Sequence, residues 1–90
     1  MPETREVRLR RLTMRSMRRG IKEMDILLSR FAEARLALLG PAELDAYEAL
    51  LEENDQDLYQ WVSGQAAPPA RFADVIRDVA LHGGAARAAK

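Results

Sequence analysis

Residues 21–31 read Ile21-Lys22-Glu23-Met24-Asp25-Ile26-Leu27-Leu28-Ser29-Arg30-Phe31. Ile21, Met24, Leu27, Leu28 and Phe31 recur at intervals of three and four, which places them on one face of a helix. Helical patterns continue outward from this stretch in both directions, with a mixed spacing on the N-terminal side. Val7, Leu9, Leu12, Met14 and Met17 give a looser helix over about residues 4–17. Toward the C-terminus the pattern of the central helix continues to Leu38 and Leu39, and Gly40-Pro41 marks its end. Gly40 suits a left-handed helix end and Pro41 suits the first turn of the next helix. Leu44, Tyr47, Leu50 and Leu51 form a third apolar face. Asn54-Asp55-Gln56-Asp57 is a helix start, because short polar side chains accept from free backbone N–H groups and acids suit the positive helix end. The fourth helix carries Leu58, Trp61 and Val62 and stops at Gly64; Pro68-Pro69 breaks the chain again. Phe72, Val75, Ile76 and Val79 give a fifth helix, closed by Gly83-Gly84.

No stretch alternates with period two, and no hairpin turn signal occurs. The sequence therefore predicts an all-α fold, a compact five-helix bundle in a single domain over residues 1–84, with a disordered tail at 85–90. Helices this short are marginal alone and must share one core. Phe31, Tyr47, Trp61 and Phe72 are its expected bulky members.

The chain has 90 residues, with 14 Lys plus Arg, 14 Asp plus Glu and no Cys. The absence of Cys excludes disulfides, a thiol nucleophile and thiolate metal sites. No apolar run is long enough for a membrane span. The N-terminus lacks the apolar stretch of a secretory leader, so the default expectation is cytoplasmic. The formal net charge of zero hides an asymmetry: residues 1–22 carry +6, residues 23–57 carry −8 and residues 58–90 carry +2. Such blocks either leave a two-signed surface or pair with each other inside the molecule.

Candidates for catalysis are thin. Ser16, Ser29 and Ser63 lie in no nucleophile-elbow context. The single His82 reads as a helix C-terminal cation or a solvent-facing residue near the end of the last helix. Glu52, Glu53, Asp55 and Asp57 lack the glycine and terminal glutamate of a calcium loop, and capping and solvation account for them. No phosphate-cradling glycine motif is present. An enzyme is not expected, nor a metal or a stably bound cofactor.

The basic segment admits binding to nucleic acid, to an anionic membrane surface or to a protein, beside a plain solvated face paired with the acidic block. Nucleic acid is disfavoured, because the domain as a whole is not basic and the segment lacks aromatic stacking platforms. Within it, Arg19-Gly20-Ile21-Lys22-Glu23 stands out. Gly20 is costly inside a helix, by about 1 kcal/mol relative to Ala. It is either a helix–helix corner or a point of close approach for a partner. Arg19 and Glu23, four apart, are either exposed to that partner or paired with each other.

The run Arg18-Arg19-Gly20-Ile21-Lys22-Glu23-Met24-Asp25 resembles the RGxxE motif of the SdhE family, the bacterial relatives of mitochondrial succinate dehydrogenase assembly factor 2. The resemblance continues through Leu27, Leu28 and Phe31, through Tyr47-Glu48-x-Leu50-Leu51, and through Asp55-x-Asp57-Leu58-x-x-Trp61-x-x-Gly64. It covers about residues 8–81. Ile21 stands where the family often has Met, and Met24 where Leu is common. The resemblance implies a compact five-helix assembly factor with no catalysis of its own. It implies a partner, the flavoprotein subunit of succinate dehydrogenase and in some bacteria of fumarate reductase, whose covalent FAD attachment the chain promotes while binding no cofactor stably itself. It also implies that Arg19, Gly20 and Glu23, with Arg18 beside them, are the partner-binding residues. No nucleic acid and no membrane span belong to this reading, and the free chain is expected to be a monomer. An antitoxin-like or other regulatory protein-binding module is the first alternative, and a small helical nucleic-acid binder using residues 5–22 the second.

Overall fold

The computed structural model describes residues 3–83. Among them are five α-helices: α1 (Arg5–Arg15), α2 (Lys22–Arg35), α3 (Pro41–Leu51), α4 (Asp55–Ser63) and α5 (Ala73–Gly83). Single 3-10 turns at Leu36–Leu38 and Ala70–Phe72 lead out of α2 and into α5. The described residues contain no strand. The expected end of the domain at 84 and the tail at 85–90 lie outside the described residues.

Local chemistry sets most boundaries. Thr4 Oγ1 accepts from Val7 N at 3.2 Å and caps α1. Asn54 Oδ1 accepts from Gln56 N at 2.7 Å and caps α4, where the sequence places that start. Gly64 ends α4 at φ 85°, a left-handed conformation that glycine adopts without a Cβ penalty. Gly40 differs from expectation. It is extended (φ −76°, ψ 172°) and begins α3 rather than closing α2, with its N–H donated to Glu43 Oε1 at 2.9 Å. Leu39 turns inward after the 3-10 turn and so ends the preceding element, while Leu38 points to solvent.

Helix α2 is central. Its face of Met24, Leu27, Leu28 and Phe31 is buried, and α5 is its main partner, through Val75, Ile76 and Val79. Helices α1 and α4 also pack on α2. Phe31, Tyr47 and Phe72 are fully or almost fully buried, with the Phe31 and Tyr47 rings 5.1 Å apart. Trp61 is a correction: it is half-buried at the rim, its ring 6.0 Å from that of Phe72. At the third position after Leu58, it lies off the line of Leu58 and Val62 that faces the core.

On α1 only Leu12 is buried, and Met14 is 68% exposed. This helix is held by charge. Arg8, Arg11 and Arg15 recur on one face and reach the acids of α3 and the turn after it. Arg8 binds Asp45 at 2.6 Å and Glu48 at 3.0 Å; Arg11 binds Glu48 at 2.9 Å and Glu3 at 2.7 Å; Arg15 binds Glu52. The basic and acidic blocks thus neutralise each other within the molecule. The two-signed surface suggested by the segment charges is largely consumed in this way. Arg5 adds a staple, donating to the carbonyls of Ala37 at 2.9 Å and Leu39 at 2.8 Å.

Candidate functional site

The segment between α1 and α2 brings the predicted residues together in one turn. Ser16 caps α1 with its N–H on Leu12 O and Thr13 O. The chain then reverses through Arg18, at φ 56° the one non-glycine residue with positive φ among the described residues. That conformation is disfavoured for an L side chain by about 1–2 kcal/mol, so the surroundings must hold it.

Arg19 does the holding. Its side chain is 13% exposed and lies among three helix ends. Nε donates to Asp55 Oδ1 at 2.8 Å, Nη1 to Arg15 O at 3.2 Å, and Nη2 to Leu51 O at 3.2 Å. The carbonyls belong to the C-terminal ends of α1 and α3, where a cation is favourable, and Asp55 opens α4, where an anion is. The other oxygen of Asp55, Oδ2, accepts the Gly20 N–H at 2.7 Å. A Cβ on Gly20 would stand 3.1 Å from that same oxygen. Gly20 is therefore a corner with a close approach, but the close approach is to Asp55 of this chain.

Two expectations change as a result. Arg19 does not pair with Glu23: its guanidinium is directed to Asp55, 36 residues away, and Glu23 lies exposed in the first turn of α2. Asp55, read from sequence as a capping acid, is an integral part of the turn, while Asn54 does the capping. Local spacing carries no signal for this pair, because the contact exists only when α1 and α4 are brought together. Arg18, Lys22 and Glu23 are the charged residues of this run that face solvent. Arg18, Lys22 and Glu23 make no ion pair among the described residues.

Below the turn, Ser16 is fully buried. Its Oγ donates to Leu12 O at 2.8 Å and stands 2.5 Å from the Tyr47 hydroxyl. Since the single Ser16 proton is already used, Tyr47 is the donor in that second bond. Burial pushes the Tyr47 hydroxyl up to about 12, against the opposing influence of the Ser16 bond.

A groove of about 530 Å³ lies between α3 and α5, lined among others by Arg35, Glu43, Asp74 and Leu81. His82 sits beside it at the end of α5, exposed, with Nε2 3.2 Å from Asp78 Oδ1. This agrees with its reading as a helix-end residue. No group of three or more His, Asp or Glu among the described residues is arranged to hold a metal ion. No helix among them is long and apolar enough to cross a membrane.

The architecture is thus a small helical domain that presents one polar turn clamped from behind. The family model described as flavinator of succinate dehydrogenase matches residues 10–82, and the chain belongs to that family. Among curated proteins it is similar to the mitochondrial succinate dehydrogenase assembly factor 2 of several fungi. That of Meyerozyma guilliermondii is 49% identical over 61 residues, 68% of this chain and 45% of the relative. That of Mycosarcoma maydis is 42% identical over 71 residues, 79% of this chain and 30% of the relative. That of Schizosaccharomyces pombe is 40% identical over 70 residues, 78% of this chain and 50% of the relative. The chain spans half the length or less of these three relatives.

Membership in a family of assembly factors points to a non-catalytic role. The relatives are mitochondrial by name, which points to the mitochondrion and overturns the cytoplasmic expectation. That expectation rested on the lack of an apolar leader, and such a lack does not determine a compartment.

Proposed function

We propose that this chain binds the flavoprotein subunit of succinate dehydrogenase, with that of fumarate reductase as a second client class, and promotes covalent attachment of FAD to a His of that subunit. The observation that carries the reading is the exposed turn of Arg18, Gly20 and Glu23, braced by Arg19, inside the region matched by the flavinator family. Backbone strain held in place by surrounding structure is a common mark of a working surface.

In this reading the covalent chemistry belongs to the partner and its flavin, as cofactors carry the hard chemistry and proteins orient it. The chain contributes no nucleophile and no stably bound cofactor. It binds one arrangement of the flavoprotein better than others and so raises its population. The favoured arrangement is one in which the acceptor His and the flavin are well oriented. Arg18 and Glu23 supply charges of opposite sign to partner groups, and Gly20 keeps the turn low between them. Arg19 acts from beneath.

The test is co-expression with a succinate dehydrogenase flavoprotein subunit, followed by flavin fluorescence of the denatured subunit in a gel. The unaltered chain is expected to raise the fluorescent yield, and Arg18→Ala, Glu23→Ala and Gly20→Arg are expected to lower it. No increase with the unaltered chain would overturn the reading.

A further inference from the structure

We propose that Asp55 is a positioning residue for this surface, acting through the turn rather than by touching the partner. The inference rests on the function proposed above and divides the work within the motif. Asp55 places one carboxylate oxygen on Arg19 Nε at 2.8 Å and the other on Gly20 N at 2.7 Å. Its side chain is 18% exposed and that of Arg19 13%, so both lie behind the surface that Arg18 and Glu23 present. A carboxylate is the side-chain group that can accept both bonds at once while balancing the guanidinium charge.

One bond holds the Arg19–Gly20 peptide by its own N–H, and the other holds the Arg19 side chain. The residue just before that peptide, Arg18, is the one in the left-handed conformation. Without the clamp, the preference of an L residue for negative φ would let Arg18 relax and turn its side chain away from its present direction. The clamp also explains the glycine. A Cβ at position 20 would press on Asp55 Oδ2, so a side chain there would disturb the carboxylate before meeting any partner. Arg19 thus acts as the inner brace of the motif and Arg18, Gly20 and Glu23 as its outer face, with Asp55, contributed by α4, linking the two through the Arg19 guanidinium and the Gly20 N–H.

The test compares Asp55→Asn, Asp55→Glu and Arg18→Ala in the full chain. Asn keeps one acceptor but loses the charge and the second oxygen. Glu keeps the charge that suits the start of α4 but moves the carboxylate by one methylene, and it serves if Asn does not fold. Folding is followed by far-ultraviolet circular dichroism, the state of the turn by the amide exchange of Gly20 in NMR, and function by the yield of covalently flavinylated subunit on co-expression. Asp55→Asn is expected to keep the helical spectrum, to speed Gly20 exchange and to lower the yield by about ten-fold or more, the order associated with misplaced interacting groups. Asp55→Glu is expected to fall between. Arg18→Ala is expected to lower the yield while leaving Gly20 exchange unchanged, a split that general destabilisation would not produce. Full yield with a folded Asp55 variant whose Gly20 exchanges fast would overturn the positioning role and leave the proposed function standing. No increase in yield with the unaltered chain would overturn both.

Discussion

The Tyr47 hydroxyl donates to Ser16 Oγ at 2.5 Å inside an otherwise apolar core, tying α3 to the end of α1 just before the clamped turn. The two partners are not equivalent. Ser16 retains its bond to Leu12 O when Tyr47 loses its hydroxyl, whereas Tyr47 is left with a buried, unpaired donor when Ser16 is truncated. Tyr47→Phe is therefore expected to cost about 1 kcal/mol and Ser16→Ala about 1–3 kcal/mol. Urea unfolding of the two variants measures the order, and a Tyr47→Phe variant less stable than Ser16→Ala would show that the bond is arranged otherwise.

Gly83 is more than a stop signal. It is buried as the last residue of α5, and a Cβ there would lie 2.8 Å from Leu27 O on α2. Ala is the better helix former by about 1 kcal/mol, but the obstacle is backbone in the central helix and cannot swing aside. Overpacking wins, and Gly83→Ala is expected to destabilise by about 1–3 kcal/mol. An unchanged or raised melting temperature would mean that α5 can move away from α2 at little cost.

The aromatic pair of Trp61 and Phe72 separates rim from core. Phe72 is almost fully buried, so Phe72→Ala is expected to cost about 3–5 kcal/mol and to unfold much of so small a domain. Trp61 is half-buried, and Trp61→Ala is expected to cost less, about 1–3 kcal/mol, with helicity retained. Circular dichroism of the two variants distinguishes them, and loss of fold in the Trp61 variant alone would reverse the assignment.

The charge ladder on α1 makes stability depend on pH and salt. Hydrogen bonding from Arg11, with a further bond from Arg8, holds the Glu48 carboxyl below its ordinary value of 4.5, despite the opposing effect of desolvation. Glu3 is lowered in the same direction, chiefly by its bond to Arg11. An acid lowered in the folded state binds fewer protons there than when unfolded. Its stabilisation is complete above the ordinary value and is lost as the pH falls through the folded value. Stability should therefore decline below about pH 5, with a shallower decline in Glu48→Gln. Added salt should weaken the ladder at neutral pH, as expected for partly exposed pairs. Parallel acid limbs for the two proteins would remove Glu48 from the account.

The helices were legible along the chain because their causes are local. A period of three and four in apolar residues, Asn54 before α4, Pro41 at the start of α3 and Gly64 after α4 all act within a few residues of themselves. The motif was legible as a pattern for the same reason, since Arg18 to Glu23 lie in one short run. The depth of Trp61 is not legible in the sequence because it sits on the edge of an apolar stripe, and depth at an edge is set by neighbouring elements. The role of Gly40 is ambiguous in sequence because a glycine between two helices serves either one, and the Glu43 carboxylate tips it toward the second. The partners of the arginines were not legible at all. A guanidinium reaches whatever carboxylate the fold brings near, so Arg19 could have paired with Glu23 at four residues and instead meets Asp55 at 36. Net charge, period and caps are properties of chain neighbours and follow from composition and order. The split of one motif into an inner brace and an outer face depends on which helix ends converge, and that is set by how the five apolar faces share a single core.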